Sequence, residues 1–573
     1  MPLPRFPRLR SRSIAGLGLL AASSAAVTWA ADTPRLILDM VHHNPGEARY
    51  ESRYNQPSVL EEMGYNGKVY FLFESPVLAI DWSTVAPDIF PVGSGGRAWI
   101  DTKAREIDAQ HQACLDAGID AYAQSDLVLL PKALIARLGV ARTYGDPRDP
   151  KTRELLRAMV AETFDRFPRL AGLVVRIGET YLHDAPHHQG HINAKNDADA
   201  TIIPLVRLLR DEVCEKRGRR LIFRTWLAFD KDLDTYLKVG AAVEPHPLLA
   251  FGVKHCEGDF HRGNPFSRIL GQGRHPQVVE VQCAREYEGK GAYPNYVAHG
   301  VIEGFEEHPT PPVPGGPRNL RELARDHPET FAGLWTWTRG GGWRGPYIRN
   351  ELWPDLNAWV LARWAADPAV PEETLFRRYA AERLGLTGED VDRFRRLCLL
   401  SASATLRGKA SARSEMAPWW SRDDGINRPP LPKNPEARAR VLADQAEAVR
   451  QWREIVALGD AIAFPDPRTA DFVRVSTRYG HSLFRIYRAV CELVAAEDDP
   501  DALRAWLPLY DDAWAAHRAL PALSPQCASL YNEASAPVGP FGEGVEKIIP
   551  LLRARAAATP PPPNPPSGLQ TTP

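Results

Sequence analysis

Leu170–Ile177 reads LAGLVVRI, residues 202–218 read IIPLVRLLRDEVCEKRG and Arg220–Trp226 reads RLIFRTW. The outer two are short, continuously apolar and β-branched, while the segment between them repeats its apolar residues at helical spacing. Unbroken apolarity belongs to a strand covered on both faces, as in a parallel sheet. The stretch therefore predicts strand, helix, strand.

Outward from it the same texture recurs. Apolar runs begin at Arg35 (RLILDMV), Lys68 (KVYFLF), Ile119 (IDAYAQ), Leu248 (LLAFGV), Gln277 (QVVEVQ) and Phe331 (FAGLWTWT), which brings the strand-like segments to eight. Eight strand-and-crossover units predict an α/β fold, a (β/α)8 TIM barrel over residues 31–366. After Asp367-Pro368 the apolar spacing becomes that of long amphipathic helices. One opens on the cap Asn434-Pro435-Glu436 and runs through Leu442, Val449, Trp452 and Val456. An all-α C-terminal domain is expected over 367–558, packed on the barrel or on a second subunit in a homodimer. Residues 559–573, rich in proline, are expected to be disordered.

The 573 residues are 44% hydrophobic and 25% charged with a formal charge of −1, which excludes a disordered chain and a membrane bundle. Residues 1–30 carry Arg5, Arg8, Arg10 and Arg12 and no acid. An apolar, small-residue run from Ile14 to Val27 follows, with the exit Thr28-Trp29-Ala30, the three parts of a signal peptide. Export to the periplasm or beyond is the expectation, with no membrane span after cleavage. Without the four leader arginines, 66 Lys and Arg face 71 Asp and Glu, so no basic face for nucleic acid is implied. The seven cysteines allow at most three disulfides in an exported chain but are scattered, with no CxxC, and most read as buried thiols.

In such a barrel the chemistry sits at the C-terminal ends of the strands. The ionisable residues there are His42, His43 and Glu47 after strand one, and Glu74 and Asp81, beside Trp82, after strand two. Arg176 and Glu179 end strand four, and Arg224 ends strand five. Lys254, Glu257 and Asp259 follow strand six, with Arg285, Glu286 and Glu288 after strand seven. Carboxylates and cations converging on one mouth, with Trp226, Trp335, Trp337 and Trp343 nearby, fit a glycosidase acting on an acidic sugar. Aromatic faces stack on the ring, one carboxyl protonates the glycosidic oxygen, another handles water, and Arg or Lys pairs with a sugar carboxylate.

The ordered blocks Gly172-LVVRIGE, Leu221-IFRTWLAFD, Val253-KHCEGDF, Val279-EVQCAREYEG and Asn357-AWVLARWAADP resemble the family-67 glycoside hydrolases, the xylan α-glucuronidases, over about residues 165–385. The resemblance implies an inverting hydrolase that removes glucuronic or 4-O-methylglucuronic acid from a polysaccharide or oligosaccharide without metal or other cofactor. Carried over, Glu179 matches the general acid, and Asp259 and Glu286 the pair that holds and deprotonates the water. Arg224 and Lys254 match cations for the uronate, and Arg176 stands where the family has Lys. Trp226 and Trp337 join them as substrate-binding residues. Inversion needs acid and base about 6.5–9.5 Å apart.

The block at Glu179, Arg-Ile-Gly-Glu, is one residue shorter than the family's Asp-Ser-Glu arrangement. The loop beyond it carries His183, Asp184, His187, His188 and His191. Its spacing fits no HExxH helix, so a cleft loop is expected rather than a metal site. The Gly-rich runs at Gly93 and Gly340 are expected to be flexible cleft loops, the second able to bring Trp343 and Arg344 to substrate. The alternatives are a glycosidase of neutral or amino sugars and a non-catalytic carbohydrate-binding protein.

Overall fold

Each of the eight apolar runs becomes a barrel strand: β1 Leu36–Val41, β2 Gly67–Tyr70, β3 Asp120–Asp126, β4 Leu170–Arg176, β5 Arg220–Arg224, β6 Leu249–Lys254, β7 Gln277–Gln282 and β8 Phe331–Arg339. The computed structural model describes residues 34–44, 51–179, 185–409, 418–534 and 542–558. The leader, the Pro-rich tail, Glu47, His183 and Asp184 lie outside them. The strands pair in chain order, every neighbour parallel, and β8 closes on β1.

The two faces of each strand enter different cores. Leu36, Leu38, Met40, Val174, Ile222 and Val278 fill the barrel. Residues of the other parity, among them Leu173, Val175, Phe223, Phe251 and Val279, pack outward. Burial on both faces is why the runs are continuous rather than alternating.

Leu352–Ala366, almost wholly buried, follows β8. Its Asn357 side chain accepts from the amides of Val297 and Ala298 and donates to Asn295 O, which fixes the long segment after β7. Trp353 Nε1 donates to Ser476 Oγ, 3.1 Å away in the helix Pro467–Ala495. That helix, Glu389–Lys409, Pro435–Ala461 and Pro500–Arg518 make up the helical layer with shorter helices. Asn434 caps Pro435–Ala461 as expected, accepting from Ala437 N at 3.0 Å. The buried seam is Val441, Ala448, Trp452 and Ile455. Val449 is buried with it, so the predicted Val449 and Trp452 lie in the seam, while Leu442 and Val456 are half-buried and their neighbours Val441 and Ile455 take their places. All seven cysteines are free and buried. Among the described residues no helix is long and apolar enough to cross a membrane.

Candidate active site

Alternation along the strands sends a polar ladder into the barrel above its apolar floor. On β3 Tyr122 leads to Gln124 and Asp126, on β4 Val174 to Arg176, and on β5 Ile222 to Arg224. On β6 Ala250 leads to Gly252 and Lys254, and on β7 Val278 to Glu280 and Gln282. Arg224 grips Glu280 bidentately, Nε to Oε1 at 2.8 Å and Nη2 to Oε2 at 2.6 Å, both side chains 0% exposed. Its guanidinium lies 5.2 and 5.1 Å from the Trp335 and Trp337 ring centroids. Gly252, the register partner of Arg224, leaves the room: a Cβ there would stand 3.2 Å from both Arg224 Cγ and Glu280 Oε1.

Above this pair lies a small cavity of about 50 Å³, room for a few waters. Seven of the eight expected site residues line it: Glu179, Asp259 and Glu286, the cations Arg176 and Lys254, and Trp226 and Trp337. Arg224 does not. The carboxylate it was expected to receive from a sugar is supplied instead by Glu280, on the second strand over, so Arg224 supports the floor of the site rather than its wall.

Arg176 binds Asp126 through Nε and Nη2 at 2.7 and 2.8 Å, and its Nη1 donates to Glu179 Oε2 at 3.1 Å. The Trp226 indole N–H donates to the same oxygen at 3.2 Å. On the indole face sits Lys254 Nζ, 3.1 Å from a ring centroid, and this ammonium pairs with Asp259 Oδ1 at 2.5 Å. Trp226 thus stands between Glu179 and Asp259. The Tyr287 hydroxyl donates to Asp259 Oδ2. Glu286 is held at its backbone N–H by Gln282 Oε1 (2.7 Å) and at Oε2 by the Gly342 N–H (2.5 Å).

The glycine run after β8 is a tight packing element, not the flexible loop expected. Gly340, Gly341 and Gly342 have φ of +90°, +88° and +77°. A Cβ on Gly341 would stand 2.6 Å from Glu286 Oε2. Only glycine lets this backbone approach the carboxylate.

The two adjacent carboxyls diverge. Burial and the negative charge of Asp259 push Glu286 up to about 8, opposed by Arg422 and Lys254. For Asp259 burial acts upward too, but the charge and hydrogen bond of Lys254, with hydrogen bonds from Tyr287 and Glu286, outweigh it. They hold Asp259 below the usual carboxylate range. At neutral pH the pair carries one proton, on Glu286. His42, also on the cavity wall, stacks on Trp337 at 5.0 Å, and burial keeps its imidazole neutral.

Other rim charges among the described residues have structural partners. Arg285 binds Glu288, Glu257 binds Arg268, Asp81 binds Arg97, and Glu74 accepts from Gln110. The described histidines after β4 disperse. His187 and His188 pack on Phe90 and Trp99, and His191 reaches Asn193 at 2.5 Å. Among the described residues no group of three His, Cys, Asp or Glu could hold a metal ion.

Sequence reasoning missed Asn44 and Arg422 in the wall; Trp343, named beforehand, does reach it. Arg422 follows the turn Pro418–Ser421 in the helical region, so that region both packs on the barrel and completes its mouth. No motif around Arg422 signals this.

The architecture is that of the (β/α)8 barrel followed by helices. No family model and no curated protein matches the chain, and the family-67 resemblance rests on its motifs alone. Among solved structures, an enzyme of glycoside hydrolase family 138 targeting pectin rhamnogalacturonan II superposes with a TM-score of 0.55 at 12% identity, over 91% of this chain and 67% of that one. A family-84 protein (TM-score 0.43, 10% identity, 91% and 77% covered) and a mutant O-GlcNAc hydrolase of Thermobaculum terrenum (0.36, 8%, 91% and 94%) are more distant. At such identities the likeness is one of fold.

Proposed function

We propose that the chain is an exported glycoside hydrolase that removes a terminal uronic acid, glucuronic or 4-O-methylglucuronic, from a polysaccharide or oligosaccharide with inversion. The observation that carries the reading is the single mouth at which Glu179, Asp259 and Glu286 meet Arg176, Lys254 and tryptophan faces. Asp259, kept ionised by Lys254, is the base that takes a proton from water. Glu286, protonated beside it and hydrogen-bonded to Asp259 in the resting state, orients that water. Glu179, across Trp226, protonates the leaving oxygen. The fold neighbour's substrate adds pectin fragments to those worth testing.

One observation favours the neutral-sugar reading. Arg224 is committed to Glu280, Arg176 largely to Asp126, and Lys254 to Asp259. The deciding experiment incubates the mature protein with glucuronate-, 4-O-methylglucuronate- and galacturonate-decorated oligosaccharides beside their neutral counterparts, with ¹H NMR reading the first anomer released. Free uronic acid of inverted configuration is expected. Equal rates on neutral substrates, or retention of configuration, would reject the reading.

A further inference from the structure

We infer that Arg422, supplied by the helical region, receives the carboxylate of the sugar and sets the preference for acidic over neutral rings. The inference rests on the uronidase reading and names the residue that reading otherwise lacks.

Three cations line the described cavity wall, and two are committed. Arg176 spends three donors on Asp126 and Glu179, and Lys254 is held by Asp259. Arg422 differs. Its side chain is 11% exposed, and its guanidinium lies over the Tyr287 ring, 4.8 Å from the centroid. Its Nε has no hydrogen-bond partner. The carboxylate beside it, Asp423 Oδ2, is 3.7 Å away, beyond hydrogen-bond length. The other oxygen of Asp423 is turned to the Trp343 N–H (2.8 Å) and Lys290 (3.1 Å).

A sequestered guanidinium short of acceptors is a receptor for a planar anion, because its fork matches both oxygens of a carboxylate. His42 Nδ1 and Asn44 Nδ2 are likewise buried without partners on this wall. They are placed to meet ring hydroxyls while Arg422 meets the acid group. Bound there, the anion would lie beside Tyr287, whose hydroxyl reaches Asp259.

The test compares an aryl α-glucuronide with the matching aryl α-glucoside, using the full chain, R422M and R422K. Specificity, the ratio of kcat/KM on the two substrates, is expected to fall roughly 10²-fold in R422M, mainly through KM on the glucuronide. R422K, which keeps charge but loses the fork, should lose roughly 10-fold. Equal losses on both substrates, or a shifted pH profile with the ratio intact, would overturn the inference, since Arg422 would then act only through the proton of Glu286. If R422M does not fold, an unchanged ratio in R422K overturns it alone. If the parent turns over no uronide, the uronidase reading falls. Calorimetric binding of glucuronate against glucose then decides for Arg422: a preference lost in R422M sustains it, and no preference in the parent overturns it.

Discussion

Replacing Glu286 by Gln should make the protein more stable and inactive, and the gain should depend on pH. In the folded protein the Glu286 carboxyl is pushed from an ordinary 4.5 to about 8 by burial and by Asp259. A folded pKa above the unfolded one means that the folded state binds more protons. The contribution to stability is whole below pH 4.5 and is lost as pH rises through 8. At ~1.36 kcal/mol per pH unit, the interval corresponds to about 5 kcal/mol, with about 3 kcal/mol already lost at pH 7. Glutamine keeps the shape. Its amide oxygen can accept from Gly342 and its amide N–H can donate to Asp259, yet it never ionises. Urea unfolding of parent and variant at pH 5, 7 and 9, followed by tryptophan fluorescence, isolates this one group, because the other titrations cancel in the difference. The variant should match the parent at pH 5 and exceed it by several kcal/mol at pH 9, while turnover is abolished. A stability difference that stays flat from pH 5 to 9, or a variant less stable at pH 9, would refute the shared-proton account.

Two further perturbations test the floor and the acid. Arg224→Met strands the Glu280 carboxylate in the barrel interior at a cost of about 3–5 kcal/mol, whereas the double variant R224M/E280M should recover most of it. Equal urea midpoints for single and double variants would show that the pair does not govern the loss. Glu179→Gln should lower the rate on oligosaccharides roughly 10²–10⁴-fold, while an aryl substrate with a good leaving group loses about 10-fold or less. Similar losses on both would remove Glu179 from the role of acid.

The barrel is legible in the sequence because burying a parallel strand on both faces demands an apolar run, and each of the eight runs lies on a strand. The polar ladder is legible at Arg176 and Lys254, charges that end such runs where inward residues reach the mouth. Arg224 looks the same from sequence, and its fate is decided by Glu280 inside QVVEVQ, on a strand two places round the barrel. Nothing local distinguishes a charge that lines a cavity from one that meets a carboxylate below it. The Gly340 run misleads for a related reason: loose and tightly packed glycine loops share a composition and differ in φ and in what lies within reach of a Cβ.

Arg422 stands 136 residues beyond Glu286, and its place in the wall depends on clamps between the helical region and the β7 loop. Lys409, at the end of Glu389–Lys409, donates to Tyr287 O and also to Ser421 O. One buried ammonium thereby ties the loop carrying Glu286 to the residue preceding Arg422. Lys290, four residues past Glu286, pairs with Asp423 and donates to Arg344 O, which fastens the same turn to the loop after β8. A barrel ending at residue 366 would keep Glu179, Asp259 and Glu286 in sequence. It would lose both Arg422, the stronger of the two cations that oppose the rise in the Glu286 pKa, and the anchors of Tyr287, whose hydroxyl supports Asp259. The carboxylate pair belongs to the barrel by sequence, but its electrostatics belong jointly to the barrel and the helical layer.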